Sequence, residues 1–277
     1  MTVTASPSRP GRMRAAAQRA AVCAFAGLIL AGGPVLARTE GGAPQPRVGH
    51  AYSLETGELV YREIHDPRAE DGRLRSDRVE YRGPDGRLLA LKEVDYTPNP
   101  VAPAFRMEDR RTGYVEGLAW NDAGEPEVFM REEAGAPMER ARLGVTEGLV
   151  ADAGFDVMVY RQLDALQDGA EPVFPFAVPS RLRTLDFRLR SLGRREILGR
   201  QATLIRMELA NPLLRWLVDP IDVAYNAESG ALLRYEGISN LPRPDGDGNY
   251  RVRIDFPPEG VEPEPPEPED RPSNERP

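Results

Sequence analysis

Paired carboxylates are the groups in this sequence best suited to acid–base chemistry. Glu132 and Glu133 are adjacent, and Asp66 lies shortly before Glu70 and Asp71. A glycosidase uses two carboxylates at a set separation in space, one as acid and one as base or nucleophile. Spacing along the chain does not fix that separation. The pairs therefore support a carboxylate-dependent hydrolase as one hypothesis, and they assign no catalytic residue.

A calcium site is a second interpretation of the acidic residues. The segment 245–249, Asp-Gly-Asp-Gly-Asn, resembles the start of a calcium-binding loop. Such a loop needs glycine at its sixth position and glutamate at its twelfth. Tyr250 and Phe256 stand there instead, which favours a polar turn before a strand. The sequence predicts no metal site.

Histidine and cysteine offer little further chemistry. His50, His65 and Cys23 are the only residues of their types, which is too few for a Cys/His zinc site. The two histidines do not face each other if the nearby turn is centred near Thr56, so surface strand positions are favoured over an acid–base or metal pair. No Gly-x-Ser-x-Gly nucleophile motif and no glycine-rich phosphate loop are present, and no cofactor is indicated.

The basic residues are almost all arginine. Lys92 is the only lysine, so Schiff-base chemistry would have to use it. Alternation along a strand places the two arginines of an Arg-x-Arg pair on one face. Such a face either binds anionic groups or forms cross-strand pairs with glutamate. The net negative charge of the chain favours the cross-strand pairs. The pairs are Arg181/Arg183, Arg188/Arg190 and Arg251/Arg253.

Four aromatic residues are candidates for binding an apolar ligand: Phe155, Phe174, Phe176 and Trp216. Phe174 and Phe176 flank a proline in an apolar, extended stretch, and Trp216 lies in a short apolar segment. Aromatic side chains line cavities, and they equally fill a core where a helix covers a sheet. Both interpretations stay open.

Composition describes a soluble globular chain. Of its 277 residues, 40% are hydrophobic and 29% are charged. A chain of this length can bury a substantial core. The formal net charge of −8 disfavours a nucleic-acid-binding module.

Residues 1–37 have the pattern of a secretory signal peptide. The segment holds four arginines, no acidic residue and an uncharged, mostly apolar run over 20–37. This pattern predicts cleavage after Ala37, with an uncleaved signal anchor as the alternative. Cleavage leaves 32 basic against 44 acidic residues, a net charge of −12. We expect a periplasmic protein of a Gram-negative bacterium with no integral membrane span after cleavage.

Short strands joined by glycine turns are predicted along the middle of the chain. Three segments share a tyrosine-ended strand, a glycine turn and an apolar strand, with turns at Gly57, Gly86 and Gly230. Other segments alternate apolar and polar residues or form a hairpin, which is typical of antiparallel sheet. These are 114–120 with 126–132, 183–191, 202–209 and 250–256. Residues 192–199 are predicted as a loop, and about nine strands are expected.

One helix is predicted over 152–167. Phe155, Val159, Leu163 and Leu166 form an apolar stripe at helical spacing, and Asp152 is the expected N-cap. No repeated βαβ order appears, which disfavours a Rossmann-like fold. The sequence predicts a mainly β protein, with a curved antiparallel sheet or open half-barrel and this one main covering helix.

The expected domain organisation follows from these elements. Residues 1–37 form the signal peptide, 38–47 a flexible lead-in and 48–256 a single β-rich domain. Residues 257–277 contain eight prolines and seven acidic residues, so we expect a disordered or extended Pro/Glu-rich tail.

Two stretches carry a family resemblance. Residues 221–241 with 250–256, and 153–156 through 178–181, resemble uncharacterised exported proteins of Gram-negative bacteria, a group with no assigned activity. The order of hairpins is similar to that of the lipoprotein-localisation-factor superfamily. That resemblance implies a half-barrel with a helical lid that holds acyl chains, and it transfers no lipid-contacting residue.

These observations define three functional hypotheses. The first is a non-enzymatic periplasmic protein that binds an apolar or lipidic ligand in a half-barrel. The second is an envelope protein–protein interaction module that uses exposed edges or the acidic tail. The third, the carboxylate-dependent hydrolase, requires two acids that converge in a cleft, one with a pKa raised by burial.

Overall fold

The computed structural model describes residues 46–213, 219–243 and 248–268. Several sequence predictions lie outside the described residues. They concern the signal peptide at 1–37, most of the lead-in, Trp216, Asp245 with Asp247, and the tail beyond 268.

Fourteen strands and one α-helix make up the described part of the chain. The strands are β1 (Arg47–Ser53), β2 (Leu59–Glu70), β3 (Arg73–Arg82), β4 (Leu88–Asp95), β5 (Ala104–Asp109), β6 (Val115–Trp120), β7 (Pro126–Arg131), β8 (Glu139–Arg142), β9 (Val173–Val178), β10 (Arg183–Ile197), β11 (Arg200–Leu209), β12 (Ile221–Asn226), β13 (Leu232–Pro242) and β14 (Asn249–Asp255). The helix α1 spans Gly154–Gln167, and a 3₁₀ turn at Pro179–Arg181 follows β9.

All fourteen strands belong to one antiparallel sheet. Its order is β8-β7-β6-β5-β4-β3-β2-β1-β14-β13-β12-β11-β10-β9, so each strand pairs with its neighbour in sequence except where β1 meets β14. The edges β8 and β9 do not pair with each other among the described residues, and the sheet is a curved, open one. The predicted fold class, mainly β with a curved open sheet and one main helix, is confirmed.

The three predicted glycine turns are confirmed. Gly57, Gly86 and Gly230 have φ angles of 72°, 81° and 70°, in the left-handed region that residues with a Cβ seldom adopt. They join β1 to β2, β3 to β4 and β12 to β13. A local glycine signal is therefore sufficient to locate these hairpins.

The loop predicted over 192–199 is wrong, and the expected nine strands are too few. β10 continues to Ile197 and returns as β11 through a turn at Leu198 and Gly199. The register shifts between Ser191 and Gly193, which interrupts the alternation of side chains. Residues 193–196 are exposed, so no apolar face marks this ribbon as a strand.

The helix begins two residues later than predicted, and Asp152 is not its N-cap. Ala153 occupies that position without a side-chain hydrogen bond. Asp152 instead has a φ of 40° and directs its carboxylate to Lys92. The long-range ion pair replaces the local cap. Val159 and Leu166 on the predicted apolar stripe are fully buried.

The apolar core has three main parts. One lies between α1 and the strands β9–β12, with Leu189 and Ile205 fully buried. A second centres on Tyr61 and Met107, and a third on Leu118 and the segment that precedes α1. None of the helices in the described ranges is long and apolar enough to cross a membrane.

Candidate functional site

The two faces of the sheet differ in chemistry. We call the inner face the one that carries Tyr61, Lys92 and Ile205, and the outer face the one that carries Glu93 and Phe129. Successive side chains of a strand point to opposite faces. The inner face holds much of the apolar core and also a row of buried polar groups.

The polar row follows from strand register. Neighbouring strands place His65 beside Val79, Val79 beside Lys92, Lys92 beside Met107 and Met107 beside Glu116. All five residues are buried. Residues that are far apart in the sequence thus form one line across β2 to β6.

Lys92 forms a buried ion pair with Asp152. Its Nζ lies 2.9 Å from Oδ2 and donates to Oδ1 at 3.2 Å, and both side chains are at most 10% exposed. Burial lowers the pKa of the Lys92 ammonium, but attraction to Asp152, Tyr81 and Glu63 outweighs burial and holds that pKa well above its usual range. Lys92 is therefore charged at neutral pH and is not a nucleophile.

Glu116 is a buried carboxyl group at the far end of the row. The Tyr114 hydroxyl donates to its Oε2 at 2.8 Å. Burial raises the pKa of Glu116 to about 7, with a smaller contribution from Asp152, while the hydrogen bond from Tyr114 and the charge of Lys92 oppose the rise. Glu116 can therefore exchange a proton near neutral pH.

His65 differs from the surface position favoured by the sequence. It is buried, with Nδ1 2.8 Å from Asp77 Oδ2 and Nε2 3.4 Å from Glu63 Oε2. Burial raises the pKa of Asp77, but the hydrogen bond and charge of His65 outweigh this and lower it overall. His50 pairs across the ladder with Arg62, so the prediction that the two histidines do not face each other is confirmed.

The inner row meets one of the two requirements set for a hydrolase. Glu116 has a raised pKa and lies within electrostatic range of Asp152. Asp152, however, is paired with Lys92, and both acids are buried below the surface. Among the described residues, this row can therefore hold a proton and fix the start of α1.

The acid pairs singled out from the sequence do not converge in one place. Asp66 lies 3.1 Å from Arg68, and Glu70 lies 3.3 Å from Arg75, on solvent-exposed parts of β2 and β3. Glu132 and Glu133 are exposed in the segment after β7.

Three of the four candidate aromatic residues lie together where α1 packs against β9 and β10. The ring centroids of Phe155 and Phe174 are 6.4 Å apart, those of Phe155 and Phe176 6.5 Å, and those of Phe176 and Phe187 5.8 Å. Phe174 is buried, while Phe155 and Phe176 are half-buried against the same cluster. Contact of these residues with a ligand stays a prediction.

The arginine pairs on the strands include cross-strand ion pairs. Arg188 lies opposite Glu208 in the register of β10 and β11, and its guanidinium donates to that carboxylate at 2.6 and 2.8 Å. Arg251 lies 3.4 Å from Asp219. The favoured interpretation, a solvated sheet face with cross-strand Arg–Glu pairs, is confirmed for Arg188, whereas the partner of Arg251 lies before β12 and outside the sheet.

The outer face of β4–β7 contains a shallow, open apolar pocket of about 300 Å³. Small residues on neighbouring strands leave the space, since Ala104 and Ala119 lie close together. Gly117 next to them allows the ring of Phe129 to lie against the sheet: a Cβ at 117 would be 2.4 Å from Phe129 Cζ. Arg140 covers that ring, with its guanidinium carbon 5.3 Å from the ring centroid.

Charged side chains surround the mouth of this pocket. Glu93, Asp95 and Arg106 contribute to its lining. Arg106 donates to Glu108 at 2.6 Å, so its charge is compensated. Glu93 is exposed and forms no ion pair within the part of the chain that the structure describes. The mouth of the pocket therefore favours a positively charged group on a ligand.

Sequence reasoning missed both the polar row and the outer pocket. The first had one available signal, because Lys92 is the single lysine in an arginine-rich chain. The second had a weaker one, the small residues Ala104, Gly117 and Ala119 in otherwise bulky strands. Neither signal places residues together without the strand register.

The fold and site define a mainly β protein with an open 14-stranded sheet and a small apolar pocket.

No family model and no curated protein matches the chain. Among solved structures, it is similar to a beta-barrel-like protein of a domain of unknown function, DUF1849, from Brucella abortus, with 8% identity, a TM-score of 0.40 and coverage of 77% of this chain and 97% of the other. A DUF1329 family protein from Desulfovibrio piger matches with 9% identity, a TM-score of 0.24 and coverage of 76% and 81%. These comparisons do not show the expected resemblance to the lipoprotein-localisation factors.

Proposed function

We propose that this protein is a non-enzymatic binding protein that holds the apolar part of a small ligand in the pocket on the outer face of β4–β7. The pocket itself is the observation that carries the proposal. Its volume of about 300 Å³ falls at the lower end of the range of small-molecule sites. Ligand sites are apolar with a few polar groups that set orientation, as this one is.

The charge at the mouth indicates the class of ligand. Glu93 and Asp95 lie on the rim, and Arg106 is already bound to Glu108. A ligand with an aromatic or branched aliphatic group and a cationic group beside it would fill the pocket and compensate Glu93. A cationic amphiphile is therefore the class that we propose within the predicted apolar or lipidic ligands.

The outer pocket is preferred to the inner face for a physical reason. On the inner face, α1 already covers the aromatic cluster, and Val159, Leu166, Leu189 and Ile205 are fully buried there. A ligand at that site would have to displace the helix from a packed core, at a cost of several kcal/mol. The outer pocket needs no such movement.

The experiment is mass spectrometry of organic extracts from protein purified without detergent. Ala104→Leu would fill the pocket, and Ala123→Leu in the exposed β6–β7 turn is the matched control. We expect a bound compound in the unchanged protein and in the control, and its loss in Ala104→Leu. Loss in Phe176→Leu with retention in Ala104→Leu would place the ligand under α1 and refute the outer pocket.

We also propose that the protein is exported and acts in the periplasm. The support is the basic start and apolar run of residues 1–37. N-terminal sequencing of protein from the periplasmic fraction is expected to begin at Arg38. An intact start at Met1, in protein recovered with the membrane, would indicate the signal anchor instead.

A further inference from the structure

The first part of the acidic tail lies against the outer face of β1 and β14. Over 257–268 the chain has no helix or strand. The Tyr52 hydroxyl donates to the carbonyl oxygen of Pro263 at 3.2 Å, and the Arg253 guanidinium donates to the carbonyl oxygen of Glu264. Both contacts are made to the backbone, so they recognise the path of the segment rather than its side chains.

Two residues of this segment, three positions apart, are less exposed than the residues between them. Pro263 is buried and Pro266 is half-buried, whereas residues 264 and 265 between them are exposed. A polyproline II helix has three residues per turn, so residues three apart face the same way. The Pro-x-x-Pro spacing of 263 and 266 thus presents two prolines to the sheet.

The surface of the sheet beneath this segment provides an aromatic ring, a hydrogen-bond donor and space for the backbone. The guanidinium carbon of Arg253 lies 5.7 Å from the ring centroid of Tyr52. Gly57, in the turn between β1 and β2, has no side chain, and a Cβ there would lie 2.7 Å from the carbonyl oxygen of Pro266. An aromatic ring with neighbouring hydrogen-bond donors is the usual platform for polyproline II segments.

Charge also matches across this contact. Arg62 and His50 are cross-strand neighbours on the same face, and Arg62 forms no ion pair among the residues that the structure covers. Burial and Arg62 lower the pKa of His50, while Glu262 of the tail acts in the opposite direction. The acidic tail therefore lies beside basic groups of the sheet.

We propose that the surface formed by Tyr52, Gly57 and Arg253 binds acidic, proline-rich segments of a partner protein, and that residues 261–268 occupy it as a tethered competitor. Backbone-directed contacts select segments with prolines three residues apart, and the neighbouring basic groups favour acidic ones. A tethered segment has an effective concentration in the millimolar range. A partner segment therefore binds only if it displaces the tail, or after the tail has been released.

The test uses full-length protein and a labelled peptide with the sequence of residues 257–277, followed by fluorescence anisotropy. Pro263→Gly with Pro266→Gly weakens the tethered segment and is expected to strengthen peptide binding at least tenfold. Adding Tyr52→Phe should weaken it again by about fivefold, the effect of one hydrogen bond. Tyr235→Phe is the matched control, because that hydroxyl also donates to a carbonyl oxygen, of Ile238, at 2.6 Å.

Three results would overturn the proposal. One is equal peptide affinity for the unchanged and the Pro-substituted protein. Another is equal binding of a peptide in which both prolines are replaced. The third is a doubled mass of the unchanged protein by light scattering, which would assign the surface to the tail of a second copy. Circular dichroism checks that each variant is folded, and the pocket on β4–β7 is untouched by all of them.

Discussion

Lys92 and Asp152 form a buried ion pair that joins β4 to the residue two positions before α1. Their closest atoms are 2.9 Å apart, and Asn240 of β13 also reaches Asp152, with its amide nitrogen 3.4 Å from Oδ1. Lys92, Asp152 and Asn240 therefore connect three separate parts of the chain. These contacts hold Asp152 at a φ of 40°, in the left-handed region that Asp adopts more readily than most residues with a Cβ.

Lys92→Met is expected to destabilise the protein by about 3–5 kcal/mol, because it leaves a buried carboxylate without its partner. Denaturant unfolding measures the change. Arg68→Met provides the control, since the Arg68–Asp66 pair is well exposed and should contribute about 1 kcal/mol or less. Equal effects of the two substitutions would show that the Lys92 pair is solvated.

Glu116 is expected to make stability depend on pH. Its pKa is about 7 in the folded protein against an ordinary 4.5, so the folded state favours the protonated form. The stabilisation is fully present below about pH 4.5 and is lost as the pH rises to about 7, by roughly 3 kcal/mol. Urea unfolding between pH 4 and 8 should show this loss.

Glu116→Gln should remove most of that dependence and leave the variant more stable than the unchanged protein at pH 8. Glu93→Gln is a control at an exposed position on the outer face. An unchanged pH profile in Glu116→Gln would contradict a buried, neutral carboxyl group.

Gly117→Ala is expected to destabilise the outer face by about 1–3 kcal/mol, because the new Cβ would lie 2.2 Å from the Phe105 carbonyl oxygen and 2.4 Å from Phe129 Cζ. Gly144→Ala is the matched control, since a Cβ there meets nothing within 4 Å. Thermal unfolding compares the two. Equal melting temperatures would show that Phe129 does not lie against Gly117.

Glu93→Lys should weaken binding of a cationic amphiphile to the outer pocket by about tenfold or more, because it reverses the charge at the mouth. Calorimetric titration of the compound recovered from the purified protein gives the dissociation constant. Glu133→Lys makes the same charge change at an exposed position after β7. If the two variants bind equally, the rim does not contact the ligand.

The hairpins could be predicted from the sequence because their signals are local. Period-two alternation and a glycine at the turn identify β1–β2, β3–β4 and β12–β13. The ribbon formed by residues 192–199 escaped prediction because its residues 193–196 are exposed, and an exposed stretch of strand has no apolar face to alternate. Asp152 was misassigned because a capping rule considers only neighbouring residues, whereas its partner is sixty positions away.

The candidate sites were largely beyond sequence reasoning. Lys92, Glu116 and Asp152 come together only when the register of β4, β5 and β6 is fixed. The same register brings Ala104 beside Ala119 to form the pocket. The aromatic residues were recognised as a group, and their apolar character alone does not separate core from ligand contact.

The pairing of β1 with β14 has a consequence for how this chain folds. Every other pair of strands is adjacent in sequence and can form as a local hairpin or meander. The β1–β14 ladder joins Ala51 to Ile254, so it closes a loop of about two hundred residues and carries the largest closure entropy of any pairing in the sheet. The runs β1–β8 and β9–β14 would then form independently and pair late, through β1 and β14. Substitutions in this ladder should slow folding more than equally buried substitutions within either run.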